Sequence, residues 1–247
     1  QDWYERFADD DPDIAGGYLH KSQFYFQHPL VLRGIYMNMT RAPFDNREIR
    51  LGIQYACNWQ LVIDKIYRGD YRRLHTANDG FGEFSHPGLR ARQFDPERAR
   101  QHFANVGFKR VGNDGVLMTD TGKRLSFTLT YGSDEDTDML TVLKQEALKA
   151  GLELRLENLD LTAAWKKVQE KKHELQYTGF SNFLEMYPRY WEGQHSDGAY
   201  DQAFLEDGAV NPDRKPKPQT NNYEGYADPE VDRLIERYDR SSSREEM

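Results

Sequence analysis

One cysteine, Cys57, in 247 residues excludes an internal disulfide and a multi-thiolate metal site. Cys57 follows Ile53 at helical spacing, so it reads as a small core residue; a reactive thiolate would need a nearby base that the sequence does not announce. The chain also lacks any run near the 20 apolar residues that cross a bilayer, and it has no basic-then-apolar leader at its start. It carries no long Lys/Arg block, and its formal net charge is -8. Sequence-independent nucleic-acid binding, which works by neutralising phosphates, is therefore not expected. No Gly-x-Gly-x-x-Gly, Walker loop, His-Glu-x-x-His or Gly-x-Ser-x-Gly is present, so no nucleotide fold, zinc protease or nucleophile elbow is announced.

The seven histidines, at 20, 28, 75, 86, 102, 173 and 195, show no i, i+3 or i, i+4 pairing, which points to ordinary surface or hydrogen-bonding roles. The acidic runs Asp9–Asp13 and Asp134–Asp136 do not fit a calcium loop and read as solvated turn and helix-start charges. Neither a catalytic constellation, a cofactor site nor a metal site is predicted.

What the chain does have is rings: 15 Tyr and 13 Phe, with a 13 % aromatic and 38 % hydrophobic content. These suffice for a real core under a well-charged surface. Phe24–Gln27 and Leu32–Met39 read as strands of a common sheet. Asp45 is placed to cap a helix bearing Ile49 and Ile53, Asn58 to cap one ending at Gly69, and Asp95-Pro96 to open a third stopped by Gly107. Residues 70–94 are a long loop, and turn tripeptides at Asn113–Gly115 and Asp120–Gly122 predict a hairpin.

From Leu125 to Asn182 the pattern alternates strand, helix, strand, helix, strand: a βαβαβ unit with parallel strands and right-handed crossovers. Such sheets place ligands beyond the carboxyl ends of their strands, here near Tyr131–Asp134 and Gly179–Asn182. Residues 185–219 are irregular, and Asp228-Pro229-Glu230 caps a last helix carrying Val231, Leu234 and Ile235. The chain opens and stops mid-pattern, so it reads as a piece of a longer protein.

Several of these segments together carry a family resemblance. Met37–Arg50, with Asn38, Pro43-Phe44-Asp45 and Arg47, resembles a strand-and-helix element of the family 5 extracellular solute-binding proteins; Ile53–Ala56 and Ile63–Gly69 look like its continuation. Asp95–Ala99 with Gly107-Phe108, and Asn221–Ile235, are similar to two further elements of that family in the same order. The aromatic segment 177–200 most resembles the oligopeptide and microcin-type binders. The resemblance implies an α/β lobe of the periplasmic-binding-protein kind, with a mixed, mainly parallel sheet flanked by helices. It would belong to a two-lobed, monomeric receptor that closes on a peptide or other small solute and passes it to an ABC importer.

On that reading residues 1–35 are entry strands on the hinge side, 36–205 the binding lobe, and 206–247 a loop and helix returning toward the other lobe. The location implied is periplasmic or cell-surface. The expected ligand contacts are rings from Tyr177, Phe180, Tyr187 and Trp191, and amides from Asn182, Asn221 and Asn222. Core packing of the rings and turn formation by Asn221 and Asn222 compete with that assignment. Where many relatives carry Asp-Tyr-x-Asp-Pro, with an aspartate for a peptide's amino terminus, this chain has Ser181–Glu185. Glu185 is the candidate substitute, and a blocked peptide, sugar, opine or metal chelate stays open as the guest. So do a hydrolase assembled from distant segments and the solute-sensing lobe of a DNA-binding regulator.

Overall fold

The computed structural model describes residues 2–24, 31–181 and 187–247. Two one-turn helices, α1 (Asp2–Glu5) and α2 (Pro12–Ala15), precede strand β1 (Val31–Met37). Phe24 itself is not in a strand, and residues 25–27 of the expected first strand lie outside the described residues. Helix α3 (Arg47–Ala56) is capped by Asn46, whose side chain accepts from the Glu48 amide at 2.8 Å. The cap thus falls one residue later than Asp45, whose carbonyl instead accepts from Arg50 at 2.8 Å.

Asn58 caps α4 (Trp59–Lys65), and Asp95 with Pro96 opens α5 (Pro96–Asn105). Apart from a single 3-10 turn at Gly82–Phe84, residues 70–94 are loop, as their Gly and Pro content suggests. Two-residue strands β2 (Arg110–Val111) and β3 (Leu117–Met118) make the hairpin. It docks where the Leu117 amide donates to the Gly151 carbonyl at 2.8 Å. Gly151 has φ +78°, and a Cβ there would sit 2.4 Å from Leu117 Cγ.

The alternating segment builds β4 (Ser126–Tyr131), α6 (Thr137–Lys149), β5 (Glu153–Asn158), α7 (Leu161–Gln169) and β6 (Leu175–Ser181). The sheet order is β1-β6-β4-β5: β4 runs parallel to both β5 and β6, and β1 lies antiparallel along β6. The fold is therefore the mixed, mainly parallel α/β arrangement expected.

Side-chain alternation sorts the two faces. Phe127, Leu129, Tyr131, Leu175, Tyr177 and Met37 are buried with Phe44, Ile53, Val62, Met139, Leu140 and Leu143 in one core beneath α3, α4 and α6. The opposite face carries Thr130, whose hydroxyl donates to Glu157 at 2.5 Å and accepts from Lys167 of α7 at 3.1 Å. Cys57 is in the first core, and burial pushes its thiol up to about 12.

Beyond β6 come α8 (Trp191–Gln194) and α9 (Pro229–Asp239), the latter capped by Asp228. Two buried polar residues meet near the start of β6, and the second, Lys171, anchors the irregular chain between α8 and α9. Asn38 donates to the carbonyls of Lys171 (2.7 Å) and His173 (2.9 Å). Lys171 is 4 % exposed, and its ammonium donates to the Gly198 carbonyl at 3.0 Å, to Thr220 Oγ1 at 2.9 Å and to the Lys217 carbonyl. Among the described residues no helix is long and apolar enough to cross a membrane.

Candidate functional site

Tyr131, the last residue of β4, and Tyr177, the third residue of the neighbouring parallel strand β6, are both buried. The Tyr131 hydroxyl is 3.1 Å from Thr137 Oγ1 at the start of α6. The Tyr177 ring stacks on Trp59, the first residue of α4, with centroids 6.2 Å apart and planes 25° from parallel. Its hydroxyl interacts with Arg33 of β1 and with Tyr67, and burial holds the phenol protonated well above the ordinary tyrosine range. Tyr67 packs in turn on Tyr71, 4.5 Å between centroids.

Arg33 also pairs with Asp136 at 3.4 Å. Burial raises the Asp136 carboxyl above its usual value, and the guanidinium opposes that shift. Arg33 faces Gly179 across the antiparallel pair. A Cβ at Gly179 would lie 2.9 Å from Arg33 Cγ and 2.8 Å from Val31 Cγ1, so the glycine is what lets both side chains lie over β6. Gly179→Ala is expected to displace Arg33 and cost about 1–2 kcal/mol, the order of overpacking a tight site. Denaturant titration checks it: the penalty should shrink in an Arg33→Ala background, and an unchanged penalty would remove Arg33 from the account.

A second ring cluster sits after β6. Phe84 of the long loop meets Tyr187 (5.7 Å) and Tyr238 of α9 (6.2 Å) edge-on, and Tyr190 meets Tyr238 at 5.0 Å. Asn78 donates to the Tyr190 hydroxyl at 2.9 Å, and the Tyr238 hydroxyl to the Pro188 carbonyl at 2.9 Å. Beside these rings opens a hollow of about 600 Å³ lined by Tyr187–Glu192, Tyr238, Asp239 and Met247. Edge-to-face packing fixes the rings, with Tyr187, Tyr190 and Tyr238 facing the hollow.

The residues expected from the sequence fall in different parts of the structure. Tyr187 and Trp191 line the hollow, and Trp191 stacks on His195 at 3.9 Å with 40 % of its surface exposed. Tyr177 belongs to the sheet-end cluster. Phe180 is on β6, where its backbone pairs with Leu32, but its side chain falls outside the described atoms; Asn182 and Glu185 lie outside the described residues.

Asn222 is fully buried and spends its amide on the loop itself, donating to the His195 and Tyr226 carbonyls and accepting from the Tyr226 amide. Asn221 is exposed; it donates to Glu192 at 3.1 Å and accepts from the Tyr223 hydroxyl. Sequence reasoning missed Arg33, Trp59, Tyr67, Asp136, Tyr190 and Tyr238. Only Arg33 left a local trace, as a charge at a strand position whose neighbour two along, Ile35, faces the core. Among the described residues no group of three His, Cys, Asp or Glu side chains could hold a metal ion.

Comparison with known proteins places this geometry in a wider set. The family described as bacterial extracellular solute-binding proteins, family 5 Middle, matches residues 1–221. A curated relative, the uncharacterized protein y4wM of Sinorhizobium fredii, is 24 % identical over 276 residues, covering 97 % of this chain and 39 % of its own length. The oligopeptide-binding protein AppA of Bacillus subtilis, solved with a nonapeptide, superposes with a TM-score of 0.71 at 20 % identity, covering 87 % of this chain and 40 % of AppA. NikA from Brucella suis, solved with Fe(III)-EDTA, gives 0.68 at 16 % identity, covering 88 % of this chain and 41 % of NikA. Identities this low show the fold alone. The chain spans about two fifths of the length of these relatives.

Proposed function

Because the chain belongs to family 5 of the bacterial extracellular solute-binding proteins, we propose that it is the guest-gripping lobe of a receptor that captures a peptide-class solute and delivers it, chemically unchanged, to an ABC importer. The observation that carries this reading is the ring cluster of Phe84, Tyr187, Tyr190 and Tyr238 beside a hollow of about 600 Å³, lined largely by the segment that follows the carboxyl end of β6. That size suits a small guest, and open α/β sheets put their ligands at that edge.

Tyr187 and Trp191 supply stacking surface, while Tyr177 acts through Arg33 and Trp59. Phe180, Asn182 and Glu185 are assigned further ligand contacts on sequence grounds. Asn221 offers an amide at the rim, and Asn222 shapes the loop on which it sits. The lobe proper is residues 36–205, with β1 shared with the entry segment 1–35 and residues 206–247 leading back toward a second lobe. The protein works as a monomer on the outer side of the cytoplasmic membrane and has no catalytic step. Of the relatives, AppA was solved with a nonapeptide, and we carry that ligand class over.

Native mass spectrometry of the gently purified protein, followed by calorimetry with short peptides, tests the reading. A bound peptide released at its original mass is expected. A guest recovered cleaved or otherwise altered, or binding confined to sugars or metal chelates, would overturn it.

A further inference from the structure

The sheet-end cluster holds two guanidinium groups and one carboxylate. Arg33 has Asp136 at 3.4 Å. Arg73, at the start of the long loop, is half-buried with its guanidinium carbon 5.8 Å from the centroid of the Trp59 ring. That ring stacks in turn on Tyr177. Arg73, Trp59 and Tyr177 thus form a chain of contacts, with Arg33 interacting with the hydroxyl of the last. Among the described residues no carboxylate lies within ion-pair distance of Arg73, and no hydrogen bond occupies its five donors. Arg72, its neighbour, is exposed, whereas Arg73 is half-buried.

A guanidinium cannot shed its proton to escape burial, so an unpaired one in a partly dry place stays costly until an anion reaches it. Burial does pull the Arg73 pKa downward, in line with a charge lacking compensation. The guanidinium carbon lies over the indole at 5.8 Å from its centroid, and the planar fork of N–H donors it carries is the group that takes an oxyanion through two parallel hydrogen bonds. The Trp59 ring beside it would exclude water from that contact and strengthen it.

From this arrangement we infer that Arg73 is an oxyanion-recognition residue: the solute carries a carboxylate or phosphate group that seats on the Arg73 fork above Trp59, with Arg33 as the second, already half-neutralised cation. The inference rests on the solute-binding reading above and narrows it to an anionic guest. A chain with a net charge of -8 gains discrimination from such a site, since its overall field repels anions and one uncompensated cation must select them.

The test follows the indole N–H resonance of Trp59 in the intact 247-residue chain, assigned with Trp59→Phe, because the Trp59 ring lies against Arg73. Titrations use acetate, inorganic phosphate, and short peptides with free or amidated carboxyl termini, against wild type, Arg73→Gln, Arg73→Lys and the control Arg72→Gln. Saturable shifts with acetate or phosphate are expected in wild type and in Arg72→Gln, and their loss in Arg73→Gln. Arg73→Lys, which keeps the charge and loses the fork, should retain part of the affinity. Free-acid peptides should bind about 10- to 100-fold tighter than their amides to wild type, the range for hydrogen bonds to a charged group, and less than about threefold tighter to Arg73→Gln.

Preference for acetate and free acids over phosphate would assign the group as a carboxylate; the reverse assigns a phosphate. An indole signal unmoved by either anion, or saturating equally in Arg73→Gln, overturns the inference. Peptides that bind with equal affinity as acids and amides overturn it while leaving the solute-binding reading intact. Failure of every peptide to bind counts against that reading, and the small-anion titrations then still decide Arg73.

Discussion

Lys171→Met is expected to lower the unfolding free energy by about 3 kcal/mol, the scale of removing a buried charged donor and orphaning its acceptors. The ammonium is the common partner of the Gly198 and Lys217 carbonyls and the Thr220 hydroxyl, three points on a loop that has little regular structure of its own. Methionine fills the same volume but donates nothing. Limited proteolysis should find the 198–220 loop cut faster in the variant at temperatures where the rest of the chain is intact. A loss below about 1 kcal/mol would show that the loop holds itself.

Lys171 also has φ +51°, a left-handed backbone that costs a non-glycine residue of order 1 kcal/mol. Lys171→Gly should therefore be less damaging than Lys171→Ala, although both lose the ammonium. The pH dependence has a defined sign. Burial, then the Lys217 charge, lowers the Lys171 pKa to about 8. Between that value and the unfolded value of about 10.4, the unfolded chain binds the extra proton, so stability attributable to this group rises with pH. The difference between wild type and Lys171→Met should accordingly widen as pH passes from about 8 toward 10; a difference that narrows would contradict the assignment.

Phe103→Ala is the other large effect, at about 3–5 kcal/mol for truncating a fully buried ring in a core that collapses only partly. Phe103 of α5 sits against Gly52 of α3, where an added Cβ would fall 2.3 Å from the ring. Two terms compete at Gly52. Alanine gains up to about 1 kcal/mol of helix propensity, but the clash with a ring wedged between two helices costs about 1–3 kcal/mol. The clash is expected to win, so Gly52→Ala destabilises despite the better helix former. Combining it with Phe103→Leu should recover part of the loss, giving a coupling energy that a double-mutant cycle reads directly. Strict additivity would mean that the two helices do not meet there.

Much of this architecture was legible in the residues because its causes are local. The caps at Asn58, Asp95 and Asp228 each bond an amide two or three residues on, so composition over one turn predicts them. The βαβαβ unit was visible from 125 to 182 because strand and helix periods differ and glycine marks the joint at 151. The cap at Asn46 in place of Asp45 shows the resolution limit of such reading: two adjacent side chains of equal capping strength are separated only by where the backbone turns.

The site was less legible. Tyr187 and Trp191 line a hollow in the segment marked as aromatic, but their neighbours Phe84 and Tyr238 are about 100 and 50 residues away along the chain. Asn222 looks like a ligand amide in sequence; its donors and acceptor are consumed by carbonyls and an amide that only the folded loop brings near.

What the sequence determined by itself is therefore everything written in periodicity, capping and turn chemistry: the element list, the α/β class and the motifs that mark the family. What only the tertiary structure decided is the pairing of distant groups. β1 lies antiparallel on β6, so Arg33 crosses Gly179 to reach Tyr177 and Asp136, and the loop after α4 returns to set Arg73 over Trp59. The reason is physical: a cap or a turn is stabilised by atoms a few bonds apart, whereas these contacts exist only after the core has met the entropy of closing long loops.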